Sequence, residues 1–363
     1  MKRNTIFLIA ILLLATFVSC KKETNEVAGT PSISRVALSV DQNADLSNGD
    51  INQWIVIIGA NLKGATTVFF SDLEVVQKDI YSTDSSLTVK IPRQIPAQVT
   101  NKITVVTPGG TASYDFVLNT PPFTFIGLKN EFTPEGDTLV ILGDFFDLYF
   151  KEEGTVVTFT GGKTANLAGF SASYMKVVVP AGAGVGPLTI KGPEPLNSEI
   201  VTNSSWYKDN RNQIINQPIL VPATGLITSS PDFPKNPAPF FIKSGPYAAW
   251  GWDAFFSTYI DYPAAAKGAN RSDYVLKFEM NTKQPITKGD IIFNIGPSNY
   301  YRWPYNYFGP TLDTKGEWVT MALPMSLVGH PDDDNSYISL IYSDGESRES
   351  NYAMCNFRVV PKN

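Results

Sequence analysis

The feature that most constrains this chain is an internal repeat. Trp54–Leu62 reads WIVIIGANL and Thr138–Phe146 reads TLVILGDFF. A short apolar strand follows each, at 67–70 and at 156–159. Next come matching runs that end in proline, SSLTVKIP at Pro92 and SYMKVVVP at Pro180. Each copy closes with a further pair of strands, at 102–106 and 112–117 in one and at 187–190 and 198–201 in the other. The offset is 84 residues at Gly59/Gly143 and 88 at Pro92/Pro180. Repeats of this size mean modules. Short strands at this spacing, with turn signals between them, predict two Ig-like sandwiches, at 31–119 and 120–204.

The chain has 363 residues and a net charge of −5, enough for two or three domains. Charged residues are only 17%, while 27 glycines and 26 prolines punctuate short β-branched runs. That balance predicts an all-β protein. The mild acidity and the lack of a basic stripe exclude a nucleic-acid partner. A single histidine excludes a multi-His zinc site. A Ser–His–Asp triad would have to use His330, in the polar run GHPDDDNS. The three carboxylates of Pro331–Ser336 could hold calcium, but they lack the glycine and distal glutamate of an EF-hand loop and read more readily as a solvated acidic loop. No cofactor and no metal are expected.

Residues 1–20 begin with Lys2 and Arg3, run apolar from Ile6 to Val18, and end Phe17-Val18-Ser19-Cys20. This reads as a secretory signal, too short to span a bilayer as a mature helix. The small residues before Cys20 resemble a bacterial lipobox, with Phe17 in place of the usual leucine. Cys20 is then the lipidated N-terminus, and acyl chains hold the protein to a membrane without a spanning helix. Residues 21–30 read as a polar tether. With Cys20 used in this way, Cys355 has no intrachain partner and no disulfide framework forms.

From Trp206 the composition shifts. WYKDNRNQII is turn-like and opens a new unit, expected at 205–363. Apolar or alternating runs follow near 240, 259, 274, 291, 318, 337 and 355. Eight or so strands in this length predict a larger jelly-roll-like β-sandwich. Trp318 reads as core, and so do Phe255 and Phe256. Trp206 suits a wedge between domains. In the second repeat, Phe145, Phe146, Tyr149 and Phe150 read as packing between domains.

Within this unit lies Asn299–Pro310, NYYRWPYNYFGP. Six of the nine residues from Tyr300 to Phe308 are aromatic. As an extended segment it puts Tyr301, Trp303, Tyr305 and Tyr307 on one face. Arg302 and Asn306 are interleaved, and Pro304 argues for an edge strand or loop. Flat rings beside hydrogen-bonding groups suit a pyranose, whose axial C–H groups lie on an aromatic face while its hydroxyls need polar partners. The same residue types are also found in sandwich cores. A second stretch, YAAWGWDAFFSTYIDY at 247–262, adds Trp250, Trp252 and Asp253, with Gly251 leaving room for a ligand. The candidate glycan-binding residues are therefore Trp250, Trp252, Asp253, Tyr300, Tyr301, Arg302, Trp303, Tyr305, Asn306 and Tyr307.

The motif of two apolar residues, Gly-x-Asn or Gly-x-Asp, and Leu or Phe, followed by an alternating strand ending in Pro, resembles the IPT/TIG Ig-like family. The first copy carries its Pro108-Gly109-Gly110 turn; the second has Gly192-Pro193 instead. That family implies an interaction or spacer module. YKDNRN at 207–212, GEWVTMALPMS at 316–326 and CNFRVVP at 355–361 resemble the C-terminal domain of Bacteroidetes surface glycan-binding proteins. So does the whole order of lipobox, tether, IPT-like modules and aromatic sandwich. The resemblance implies a non-catalytic receptor on the outer membrane, exposed at the cell surface. It would hold a plant β-glycan such as xyloglucan beside an importer and glycoside hydrolases. Lys21-Lys22-Glu23 departs from the acidic run often found after the cysteine of surface-exported members. Two other functions fit the residues. A glycoside hydrolase or lyase needs two flanking carboxylates, of which Asp253 is a candidate for one. An Ig-repeat adhesin would turn the same rings toward a protein.

Overall fold

The glycine shared by both repeats has a steric reason. In the computed structural model a Cβ on Gly59 would lie 1.8 Å from the Ser32 carbonyl oxygen. On Gly143 it would lie 2.2 Å from that of Thr124 and 2.1 Å from the Phe146 ring. In both copies the opening strand bulges beside this glycine, between Ile33 and Arg35 in the first and between Phe125 and Gly127 in the second. Two residues further on, Asn61 and Phe145 take left-handed φ angles of 56° and 58°. Asparagine tolerates that region; phenylalanine is strained there.

The structure describes residues 29–215, 219–222, 226–247, 253–259, 262–266, 268–295, 300–328, 337–343 and 348–362. The leader with Cys20, most of the tether, Trp250, Trp252, His330 and the acidic loop 331–336 lie outside them. The chain divides into two compact units after Thr120.

In the first unit, Ser32–Leu38, Trp54–Ala60, Ser86–Lys90 and Ile80–Ser82 pair in that order. A second sheet runs Leu73–Glu74, Thr67–Phe70, Lys102–Thr107 and Gly110–Asp115. Alternate residues from both sheets, among them Val36, Ile55, Ile57, Phe70, Val89 and Val105, form one buried core. This is the sandwich that the period-two pattern predicts.

In the second unit the Ig-like part is a continuous chain of antiparallel pairs. Thr124–Leu128, Thr138–Asp144 and Tyr174–Val178 join Val156–Thr160, Gly184–Lys191 and Glu199–Val201 through a shared strand, Thr164–Phe170. That strand pairs with one side through Thr164–Asn166 and with the other through Leu167–Phe170, with a bulge at Leu167/Gly169. The bulge lets it turn the corner between layers. Phe146 and Phe150 are buried in this core, and Tyr149 packs on Phe123 with centroids 5.1 Å apart. The aromatic patch at 145–150 therefore fills its own module rather than a gap between domains.

The rest of the unit is a two-sheet sandwich. One sheet runs Ile219–Pro222, Asp253–Tyr259, Tyr337–Ser343, Asp290–Ile295 and Tyr300–Pro304; the other runs Phe241–Tyr247, Arg348–Pro361, Tyr274–Thr282 and Val319–Pro324. Leu276, Phe278 and Met280 from one sheet meet Ile291, Phe293 and Trp303 from the other in a shared core. Trp318 is buried, as expected, in a satellite cluster with Phe233, Phe240 and Cys355, and its indole N–H donates to the Pro234 carbonyl at 3.1 Å.

The two halves of this unit are stitched together. Tyr207 belongs to the Ig-like core, and its hydroxyl donates to the Thr133 carbonyl at 3.0 Å. Six residues later Gln213 bridges to Arg358 of the sandwich. At this crossing Trp206 is half-buried, with the Arg211 guanidinium 3.5 Å above its ring. Burial pushes the Asp209 carboxyl up, but its pairing with Arg211, with Arg358 beyond, holds it below the usual carboxylate range.

The outer face of the Tyr274–Thr282 strand carries Lys277 and Glu279, and both are buried. Arg358, wholly buried, donates to both Glu279 oxygens at 2.9 and 3.0 Å and to Glu131 of the Ig-like part at 2.6 Å. Lys277 donates to the other Glu131 oxygen at 2.5 Å and to the Ser204 carbonyl at 2.8 Å. The backbone adds a bond from the Thr320 N–H to the Lys129 carbonyl at 2.8 Å. Burial opposes the charge on Arg358, yet Glu279 and Glu131 outweigh it and hold the guanidinium well above its ordinary range. Two acids and two bases thus neutralise one another in a water-poor seam.

Candidate functional site

The aromatic stretch lies where Pro304 predicts, on an edge strand, Tyr300–Pro304, paired on one side with Asp290–Ile295. Its parity is reversed, however. Trp303 is only 1% exposed and packs edge-on against Phe278 with centroids 5.6 Å apart. Tyr301 and Tyr305 are half-buried against the same core. Trp303 is therefore a core anchor and not a sugar platform, and the face shared by Tyr301 and Trp303 points inward. Alternation then stops, because Tyr305–Phe308 form a turn after Pro304. The Tyr307 N–H donates to the Pro304 carbonyl at 3.1 Å, and the Tyr305 N–H to the Gly289 carbonyl at 3.3 Å.

That turn carries the exposed rings. Phe308 is 51% exposed and Tyr307 38%. Their rings meet edge-on at 4.8 Å, and Phe308 meets the buried Trp303 edge-on at 5.9 Å. The core tryptophan thus props the ring that solvent sees. Asn306 is exposed beside them. Arg302, on the outer parity of the strand, pairs with Asp290 of the neighbouring strand at 3.3 Å. Burial raises the Tyr301 phenol, and the neighbouring Tyr307 phenol raises it further. The Tyr301 hydroxyl therefore stays protonated at neutral pH and can donate a hydrogen bond.

The register ties in the second stretch. Asp253 pairs with Tyr342, Tyr342 with Ile291, and Ile291 with Trp303. One row thus runs from the residue that follows Trp252 to the residue that precedes Pro304. Three strand spacings of about 4.8 Å put those ends roughly 14 Å apart at the same end of the sheet. Asp253 and Tyr300 are placed here by backbone register alone, Tyr300 opposite Asn294.

Two residues were missed by the sequence reading. Phe308 has the wrong parity for the assumed face, although Pro304, Asn306 and Gly309-Pro310 are turn signals that break alternation. Asp290 becomes visible only through its pairing with Arg302. A separate groove of about 540 Å³ is lined by Phe132, Pro134, Glu135, Lys208, Asn236 and Pro237 among others. It gathers none of the aromatic candidates. Among the described residues no group of acidic, histidine or cysteine side chains could hold a metal ion.

The chain is thus all-β, with Ig-like modules that end in a sandwich carrying an exposed aromatic turn. Residues 207–363 match the family described as the surface glycan-binding protein B xyloglucan binding domain. That match covers the C-terminal domain, somewhat less than half of the chain. An IPT/TIG domain-containing protein of Bacteroides ovatus is 27% identical over 154 residues, 39% of this chain and 31% of the relative. The match thus spans about a third of that relative's length. The surface glycan-binding protein PbSGBP-B of Prevotella bryantii shares the fold at a TM-score of 0.57, with 18% identity over 93% of this chain and all of that one. SGBP-B from a xyloglucan utilization locus of Bacteroides uniformis aligns at a TM-score of 0.49, with 16% identity over 92% and 99% of the two chains.

Proposed function

We propose that this protein captures a xyloglucan-like β-glycan without cleaving it. The C-terminal sandwich is the receptor, and Cys20 is the lipid anchor that holds it on the outer membrane, facing outward. There it would pass its ligand to an importer and to glycoside hydrolases. The observation that carries this reading is the turn Tyr305–Phe308, which displays two exposed rings and an exposed amide in a domain of the xyloglucan-binding family. Tyr307 and Phe308 offer apolar faces to sugar rings, while Asn306, Arg302 and the Tyr301 hydroxyl offer hydrogen bonds at the rim. Trp250 and Trp252, which precede Asp253 in the sequence, are further candidates for stacking.

Calorimetry of the full chain with a xyloglucan oligosaccharide tests this. Tyr307→Ala and Phe308→Ala should each weaken binding by about 10- to 100-fold, or roughly 1–3 kcal/mol, as expected for aromatic anchors. Both side chains stand on the surface, so melting should change little. Binding should depend little on salt, since a neutral glycan has no charge to screen. Unchanged affinity in both variants would remove the turn from the site. Reducing-sugar release by the parent would refute the non-catalytic reading. Fractionation of Cys20→Ala with membranes, lipid still attached, would refute the anchor.

A further inference from the structure

The fold assembles a second aromatic surface in the first module, from residues that are far apart in sequence. Trp54 opens the strand Trp54–Ala60 and Tyr81 is the middle residue of Ile80–Ser82. Both strands flank Ser86–Lys90, so they are two spacings, roughly 10 Å, apart in the sheet. The two rings nevertheless close over the strand between them, to centroids 6.0 Å apart with planes tilted by 42°. Tyr81 is 60% exposed and Trp54 half-buried. In the register Trp54 lies opposite Lys90 and Tyr81 opposite Thr88. Polar side chains therefore stand beside the rings.

Ile55, Ile57, Leu87 and Val89 already supply this sheet's share of the core from the other parity. Val56, on the same parity as Trp54, is 3% exposed. Among the large apolar side chains of these four strands Tyr81 is the exposed one, and Trp54 packs beside it. A stable protein interface buries about 800 Å² per partner with some 20–30 residues a side. Two tilted rings with a hydroxyl and an ammonium beside them match a smaller object with an apolar face and polar edges. A nucleic acid is excluded by the acidic chain and the absence of a basic stripe.

We propose that Trp54 and Tyr81 form a second carbohydrate contact, which takes sugar rings of the neutral glycan held by the C-terminal domain. This builds on the glycan-binding reading above and gives the first module a role beyond that of a spacer. Two contacts on one chain turn a long polymer into a bivalent ligand, whose avidity exceeds either affinity without any new contact.

The test uses the full chain with xyloglucan polysaccharide in affinity electrophoresis and a xyloglucan oligosaccharide in calorimetry. The parent should bind two oligosaccharides. Tyr81→Ala should bind one, and polysaccharide should retard it at least threefold less. Trp54→Ala should behave alike, with a thermal melt as a control; Tyr81 is exposed enough that its removal leaves the core intact. A Tyr307→Ala/Phe308→Ala chain should keep weak retardation that Tyr81→Ala then removes. One oligosaccharide per parent chain, with retardation of Tyr81→Ala equal to the parent, overturns the second contact and leaves the C-terminal site standing. Loss of all retardation in Tyr307→Ala/Phe308→Ala overturns it too. Retardation that depends on Tyr81 alone would instead refute the C-terminal site.

Discussion

Replacing Arg358 with methionine tests whether the second Ig-like part and the C-terminal sandwich are locked by charge. The variant keeps a long side chain but loses the donors to Glu279 at 2.9 and 3.0 Å and to Glu131 at 2.6 Å. The two acids are left in different positions. Glu131 keeps Lys277 at 2.5 Å and the Ser205 hydroxyl at 2.6 Å. Glu279 keeps, among the described residues, the Thr320 hydroxyl at 3.0 Å. Breaking a buried pair by removing one partner costs about 3–5 kcal/mol. For a unit of this size that lowers the melting temperature by roughly 6–20 °C.

The cost should depend on pH with a definite sign. In the parent, burial already pushes the Glu279 carboxyl up against the pull of Arg358. Without that pull it rises further, so the folded variant holds a proton that the unfolded chain releases. A raised carboxyl contributes stability below its unfolded pKa and loses it as pH climbs through the folded value. The deficit of Arg358→Met relative to the parent should therefore shrink from pH 8 to pH 5. Adding Glu279→Gln, which needs no proton, should recover stability at pH 8. Urea denaturation of the full chain at both pH values, followed by near-UV circular dichroism, measures this. A loss below about 1 kcal/mol, on the scale of a surface pair, or a deficit equal at both pH values, would show that water reaches the seam.

Three further outcomes follow from burial. Trp303→Ala should cost about 3–5 kcal/mol in urea denaturation, while Trp303→Phe costs less, because the buried indole N–H has no acceptor among the described residues to lose. Gly143→Ala should destabilise the second unit by at least 1–3 kcal/mol, since its Cβ would overlap the Thr124 carbonyl and the Phe146 ring; a melt matching the parent would contradict the close approach. Cys355 is 1% exposed and burial raises its thiol well above the ordinary value, so a thiol reagent at pH 8 should label it only at the rate of unfolding.

The sequence carries local information well, and three placements show where that stops. The repeat was readable because Gly59 and Gly143 serve a local contact with a neighbouring carbonyl, and Pro304 marked an edge because a missing N–H is a local fact. Period-two alternation likewise says that Tyr301 and Trp303 share a face, but nothing in it says which face is inside; that depends on Phe278 and Phe293, supplied by other strands. The run Leu276-Lys277-Phe278-Glu279-Met280 looks like a strand with one solvated side, and charges usually mean that. Here the solvated side is covered by a module whose Glu131 lies 227 residues before Arg358, so the same alternation describes a strand buried on both faces. Trp54 and Tyr81 complete the pattern. Each alone is an unremarkable aromatic, and only the strand between them makes a surface. In all three cases the deciding partner is non-local. An all-β chain pairs strands across long separations, and so it places its candidate sites where a linear reading sees isolated residues.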